Sequence, residues 1–147
     1  VGPGDVLIVI SNSGINPVPI EMAMIGKERG ATVLAVTSLG HSQATPSRHS
    51  SGKRLFEIAD QVLDTFGEYG DAVVPVSDRE YKVAPTSTAV SVAILNAVVA
   101  QTAELLAVRG IEPPVLVSAN VPEGDAHNER LGKHYWKRLA KFPRRLV

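Results

Sequence analysis

Hydrophobic and polar positions fall in blocks along this chain. Val6-Leu7-Ile8-Val9-Ile10 is an unbroken apolar run between the turn Gly2-Pro3-Gly4-Asp5 and the polar stretch Ser11 to Asn16. A β-branched run without alternation predicts a central parallel strand, buried on both faces. Pro17 or Val18 opens a predicted helix reaching about Arg29, because proline is tolerated where a first-turn N–H has no partner. Ile20, Met24, Ala23 and Lys27 mark its faces, and Gly30 ends it as a C′ residue. Ala31 to Val36 reads as a second strand, so the opening predicts a right-handed βαβ unit.

The polar, Gly/Ser/Pro-punctuated stretch Thr37 to Gly52 reads as a long loop. Lys53 to Ala59 predicts a short helix and Gln61 to Asp64 a short strand. Phe66 to Pro85 reads as irregular, with an edge strand at Val73 to Val76. Thr86 to Arg109 predicts the longest helix, ended by Gly110. It is apolar on nearly every face, so burial on several sides is expected, and a second copy of the chain would supply it. Val115 to Ser118 reads as a final strand after the break at Pro113-Pro114. Gly124 to Leu146 predicts a basic terminal helix with Leu131, Tyr135, Leu139 and Phe142 along one side.

Composition narrows the class. A length of 147 residues fits one domain, and an Ala/Val-rich chain with 5% aromatic residues suits an α/β domain around a parallel sheet. The formal net charge is +0, so no nucleic-acid footprint is expected, and the basic C-terminal stretch reads as the solvated face of a packed helix. Cysteine is absent, which excludes disulfides, thiolate chemistry and cysteine-based metal sites. No basic segment precedes an apolar stretch at the start, so no secretory signal is expected. Thr88 to Val108 is long enough for a bilayer, yet it carries Asn96, Gln101 and Glu104, and a buried helix explains the same pattern. No membrane partner is expected.

Candidate chemistry sits at Ser11-Asn12-Ser13-Gly14. A turn from the C-terminal end of a parallel strand into a helix is the usual ligand position in open α/β sheets. A helix start offers unpaired N–H groups and partial positive charge, which suit a phosphate. Ser11 and Ser13 supply hydroxyl donors, Gly14 lets the backbone approach, and Asn16 can donate or cap. Ser, Asn and Gly are also ordinary turn and cap residues, so spacing alone leaves both readings open.

The segment Gly4 to Gly14 resembles the signature strand and turn of sugar isomerase (SIS) domains. Pro85-Thr86-Ser87-Thr88 before a long Ala/Val helix is similar to a second SIS landmark. Pro46 to Lys53 and Ser118 to Gly124 resemble a bacterial SIS subgroup described as phosphoheptose-isomerase-like. The resemblance implies a flavodoxin-like, three-layer α/β fold: a mostly parallel sheet with helices on both faces. It implies a protein that binds a sugar phosphate. A cytoplasmic location and no cofactor are expected, the acidic cluster near His127 lacks a metal-ligand spacing so no metal is expected, and the Thr86–Arg109 helix predicts a homodimer or homotetramer. The resemblance also implies a single but partial SIS domain over residues 1–147, lacking N-terminal elements of the fold. The chain would then be the C-terminal part of a longer protein. Asn16 departs from the Ser or Thr found there in many SIS domains.

Thr37 and Ser38 end the second strand and face the same crevice as Ser13, where the resemblance implies a ligand contact; a plain strand-ending turn is the alternative. Thr86, Ser87 and Thr88 would meet the ligand at another helix start, or merely cap it. Arg48, His49 and Lys53 are loop cations within reach of a phosphate, or simply solvated charges. Glu123, Asp125, His127 and Glu129 form the densest carboxylate–imidazole cluster. His127, Glu123 and Glu129 are the candidates for moving protons in an aldose–ketose isomerisation. The competing reading is an acidic helix start favoured by the dipole. Two other functions stay open: a non-catalytic sugar-phosphate sensor, and a phosphosugar lyase on the same scaffold.

Overall fold

The computed structural model describes residues 1–139, with side chains as far as Tyr135. Two compact units are present, Val1–Ala97 and a second from Val98 onward. Of the residues expected on the terminal helix, Phe142 and the Leu139 side chain lie outside those described.

The first unit opens with strand β1 (Val6–Ile10), helix α1 (Pro17–Glu28) and strand β2 (Thr32–Thr37). A one-turn helix α2 (Leu39–Gln43), a 3-10 turn (Leu55–Glu57) and strand β3 (Gln61–Asp64) follow. The sheet order is β1-β2-β3, and both pairings are parallel. Val6 stands opposite Thr32 and Ile10 opposite Val36, while Leu34 pairs Gln61 and Thr37 pairs Asp64. This register brings Ser11, Ser38 and Thr65 to one end of the sheet.

The core lies between α1 and the sheet. Ile20 and Ala23 of α1 pack with Val9, Val33, Ala35 and Leu55, and Leu7, Met24, Ile58 and Val62 close around them. Gly26 is the close approach of helix to sheet: a Cβ there would lie 2.6 Å from Leu7 Cδ2 and 3.1 Å from Val33 Cγ2. Gly30 follows α1 with φ +78°, where glycine is the least costly residue. Asp60 ties the unit together, accepting from Val33 N and pairing with Lys27.

The α/β class, the parallel sheet and the limits of β1, α1 and β3 agree with the sequence pattern. β1 is a correction, however. It forms an edge of its sheet, and Val6, Ile8 and Ile10 are 61%, 43% and 52% exposed. An apolar run without alternation predicts two covered faces, and only one is covered. The loop expected from Thr37 contains α2, because Ser38 caps a turn that Arg54 closes through the carbonyls of Ser42 and Gln43. The helix expected at Lys53 to Ala59 is only the 3-10 turn.

Strands β4 (Ala72–Pro75) and β5 (Lys82–Pro85) form an antiparallel hairpin, with Val74 opposite Val83. Helix α3 (Ser87–Val108) begins in the first unit and ends in the second, where α4 (Gly124–Leu139) follows. α3 is also a correction: burial on several sides was expected, and Ser91 is its one buried residue. It is long and apolar enough to cross a membrane. The strand expected at Val115 to Ser118 does not form among the described residues. The Asn128 side-chain amide takes the place of a strand neighbour, accepting from Val117 N at 2.9 Å and donating to Val117 O at 2.7 Å.

Candidate functional site

Ser11 N still donates to Val36 O, so the β1–β2 ladder continues one residue into the turn. Ser11 Oγ then accepts from Gly14 N at 3.3 Å. A hydroxyl accepting a bond keeps its own O–H free to give. Ser13 is half-buried at the apex. Gly14 has φ +61°, and a Cβ there would stand 2.9 Å from Thr37 Oγ1 and 3.1 Å from Ser42 Oγ. The turn therefore needs glycine for both conformation and space.

Thr37 and Ser38 are fully buried beneath this turn. Thr37 Oγ1 and Ser38 N both donate to Asn12 O, at 3.0 and 2.9 Å. Ser38 Oγ donates to Gly67 O and accepts from His41 N. Both hydroxyls thus hold the backbone that carries the Ser11–Gly14 turn. Asp64, unremarked in the sequence, does similar work: its Oδ1 accepts from Leu39 N and Phe66 N.

The loop before the 3-10 turn wraps round the start of α1. Leu55 N donates to Gly14 O and Arg48 N to Ile15 O. Asn16 was expected to donate or to cap α1. It makes no side-chain cap bond; its Oδ1 accepts instead from the Arg48 guanidinium at 3.3 Å. Arg48 is thereby fastened beside the turn. Pro17 and Pro19 remove two N–H groups from the first turn of α1, so that end is a poorer anion site than a generic helix start. His49 and Lys53 lie farther along this loop, where His49 Nδ1 is bonded with Ser51.

The start of α3 already holds an anion from the chain itself. Asp71 accepts from Thr86 N at 3.0 Å, from Ser87 N at 2.8 Å and from both side-chain hydroxyls. Burial raises the Asp71 carboxyl, but these bonds from Ser87 and Thr86 outweigh it and hold its pKa below the usual carboxylate value. Thr86 and Ser87 therefore spend donors on Asp71, and Thr88 is exposed. Asp71 lies fifteen residues before Thr86, a pairing no local pattern signals.

Glu123, His127 and Glu129 lie in the second unit, around the start of α4. His127 Nε2 is 3.0 Å from Val115 O and its Nδ1 is 3.2 Å from Arg130 Nη2. Arginine can only donate, so both ring nitrogens are taken up by local partners. Glu129 pairs with Lys133 one turn on, and Glu123 has φ +65°. Among the described residues no group of His, Asp and Glu is placed to hold a metal ion.

Comparison with known proteins places this geometry in a family context. Residues 1–38 match the SIS domain family model, a span from β1 to Ser38 that includes the whole turn. The chain is 46% identical to a UPF0309 protein of Geobacillus kaustophilus over 137 residues, 93% of this chain and 55% of that protein. It is 50% identical to a UPF0309 protein of Shouchella clausii over 128 residues, 87% of this chain and 52% of that one. A UPF0309 protein of Listeria monocytogenes is 44% identical over 137 residues, 93% and 56% of the two chains. The chain spans about half the length of these curated relatives.

Proposed function

We propose that this chain is part of a SIS-type domain that binds a sugar phosphate, with the phosphate on the Ser11–Gly14 turn. The observation that carries the reading is the turn itself. A half-buried Ser13, a Ser11 hydroxyl with its O–H free to give and a Gly14 that the turn requires lie at the C-terminal edge of a parallel sheet, with Arg48 bonded to Asn16 just beyond them. The match of residues 1–38 to the SIS domain supports it independently.

For the whole protein the reading extends to an aldose–ketose isomerase of the phosphoheptose-isomerase-like kind. A base would carry a proton between adjacent carbons through an enediol, and His127, with Glu123 or Glu129, is the group proposed to do so. A non-catalytic sensor is the second reading. The local partners of both His127 nitrogens and of Glu129 favour it. The same reading includes a three-layer domain covering both sheet faces, a cytoplasmic location, a homodimer or homotetramer, and no membrane, nucleic-acid or cofactor partner.

The test is thermal melting against a panel of sugar phosphates and their unphosphorylated sugars, with Ser13→Ala alongside. Ligand at about a hundred times its Kd adds roughly 2.7 kcal/mol, a rise of several degrees for a domain this size. The expected rise appears only with phosphorylated sugars and shrinks in Ser13→Ala. A cooperative melt that no sugar phosphate moves would remove the reading. An aldose–ketose assay on the same ligands, with His127→Gln, then separates enzyme from sensor.

A further inference from the structure

Three side-chain atoms among the described residues are buried without a hydrogen-bond partner: Asn12 Oδ1, His41 Nδ1 and Ser42 Oγ. Unpaired buried polar atoms are rare in folded proteins, and each asks for an explanation. These three do not scatter. Ser42, fully buried, points its Oγ at Gly14 beside Thr37 Oγ1. Gly67 approaches both Asn12 Oδ1 and Ser38. Ser38 joins Gly67 to His41, donating to the one and accepting from the other. Asn12 Oδ1 and Ser42 Oγ therefore lie in the shell beneath the Ser11–Gly14 turn, and His41 is tied to that shell through its backbone N–H to Ser38.

The segment after β3 packs against two of these residues, Asn12 and His41. Gly67 lies over Asn12, and the Tyr69 ring lies on the His41 ring with centroids 4.8 Å apart. This strap is a poor piece of core. Phe66 has φ +52°, costly for a bulky residue, and both Phe66 and Tyr69 leave most of their area in water. Strained, weakly buried segments are drawn from the least stable part of a fold. The unpaired atoms are an amide oxygen, a hydroxyl and an imidazole nitrogen. The adjacent carboxylate, Asp64, already accepts from Leu39 N and Phe66 N through Oδ1. An amide, a hydroxyl and an imidazole beside a phosphate turn can exchange hydrogen bonds with sugar hydroxyls.

We infer that the strap Phe66–Tyr69 is a removable cover, and that His41 beneath it contacts the sugar hydroxyls of the ligand. This rests on the reading of the turn as the phosphate site. His41 then separates a sugar phosphate from bare phosphate, whereas Ser13 serves both.

Calorimetric titration of the 147-residue chain tests this, with inorganic phosphate and with the glucose and fructose 6-phosphates as probes. His41→Ala is expected to lose about tenfold in affinity for the preferred sugar phosphate, the scale of one lost hydrogen bond, with phosphate affinity unchanged. Tyr69→Ala is expected to bind the sugar phosphate at least as tightly as the parent, since the cover no longer has to move. Ser13→Ala is expected to weaken both probes. Should His41→Ala fail to melt cooperatively, His41→Gln is read in its place. A His41 variant that keeps the parent's preference for sugar phosphate, or weakens both probes equally, overturns the inference and leaves the turn standing. Weaker sugar-phosphate binding by Tyr69→Ala overturns the cover. A parent chain that binds none of the three probes removes the reading of the turn, and this inference with it; one that binds inorganic phosphate alone overturns this inference and leaves the turn standing.

Discussion

Gly14 is the residue on which the turn depends most. Alanine there combines a positive φ with a Cβ 2.9 Å from Thr37 Oγ1. Gly14→Ala is expected to cost about 1–3 kcal/mol in urea unfolding and to abolish any sugar-phosphate melting shift. Asp71 is the second such residue. Asp71→Ala leaves the start of α3 without its carboxylate, and a loss of about 1–2 kcal/mol is expected. Its pKa is depressed in the fold, so its stabilisation is present above the unfolded value of about 3.9 and fades as pH falls through the lower folded value. Melts from neutrality to about pH 3 should therefore drop more steeply for the parent than for Asp71→Asn. A parallel decline in the two would show that the carboxylate contributes nothing there. Ser11, Ser13 and Gly14 were legible in the sequence because strand, turn and helix are neighbours. Asp71, Asp64 and the His41–Tyr69 stack were not, because their partners are set by tertiary approach.

Among the elements, β1, α1 and β3 were readable from hydrophobic pattern and punctuation alone. Pro17 and Gly30 bracket α1, and Ile20 and Ala23 face the sheet. β5 was missed because Lys82 to Pro85 is exposed throughout and carries no apolar alternation. Val115 to Ser118 was misread because an apolar run says nothing about its neighbour, and here the neighbour is one Asn128 side chain. The seat of α1 depends on Gly26, where even a methyl group meets Leu7 and Val33. Gly26→Val is expected to lower stability by about 1–3 kcal/mol through overpacking, read as a fall in urea midpoint at constant slope. An unchanged midpoint would mean that helix and sheet can slide apart freely.

At the scale of the whole molecule the open matter is what covers α3. Val92, Val98, Val99, Leu105 and Val108 are all exposed along it. Glu104 and, just beyond the helix, Arg109 are the charged residues of the stretch. Self-association through this helix is the expectation, so sedimentation should give a mass that rises with concentration. Val99→Glu with Leu105→Glu should return it toward the monomer. A monomer mass at every concentration would exclude a role for α3 in assembly of this chain. Assembly was expected from the all-round apolar pattern of Thr86 to Arg109, whereas the exposure of that surface needed coordinates.

The edge position of β1 has a consequence for how the chain reaches its fold. Val6 to Ile10 pairs with β2 on one side only, and three of its five apolar side chains face water. A short, β-branched, uncharged strand with one free edge is a template for another chain to add a strand. Parallel pairing also forms late, because α1 must be in place before β1 can meet β2. Refolding from urea should therefore be a race between crossover closure and intermolecular pairing. The recovered soluble fraction is expected to fall as protein concentration rises during refolding. A lysine at Ile8, one of the exposed positions, should restore the yield without altering the sheet, acting as a gatekeeper against aggregation.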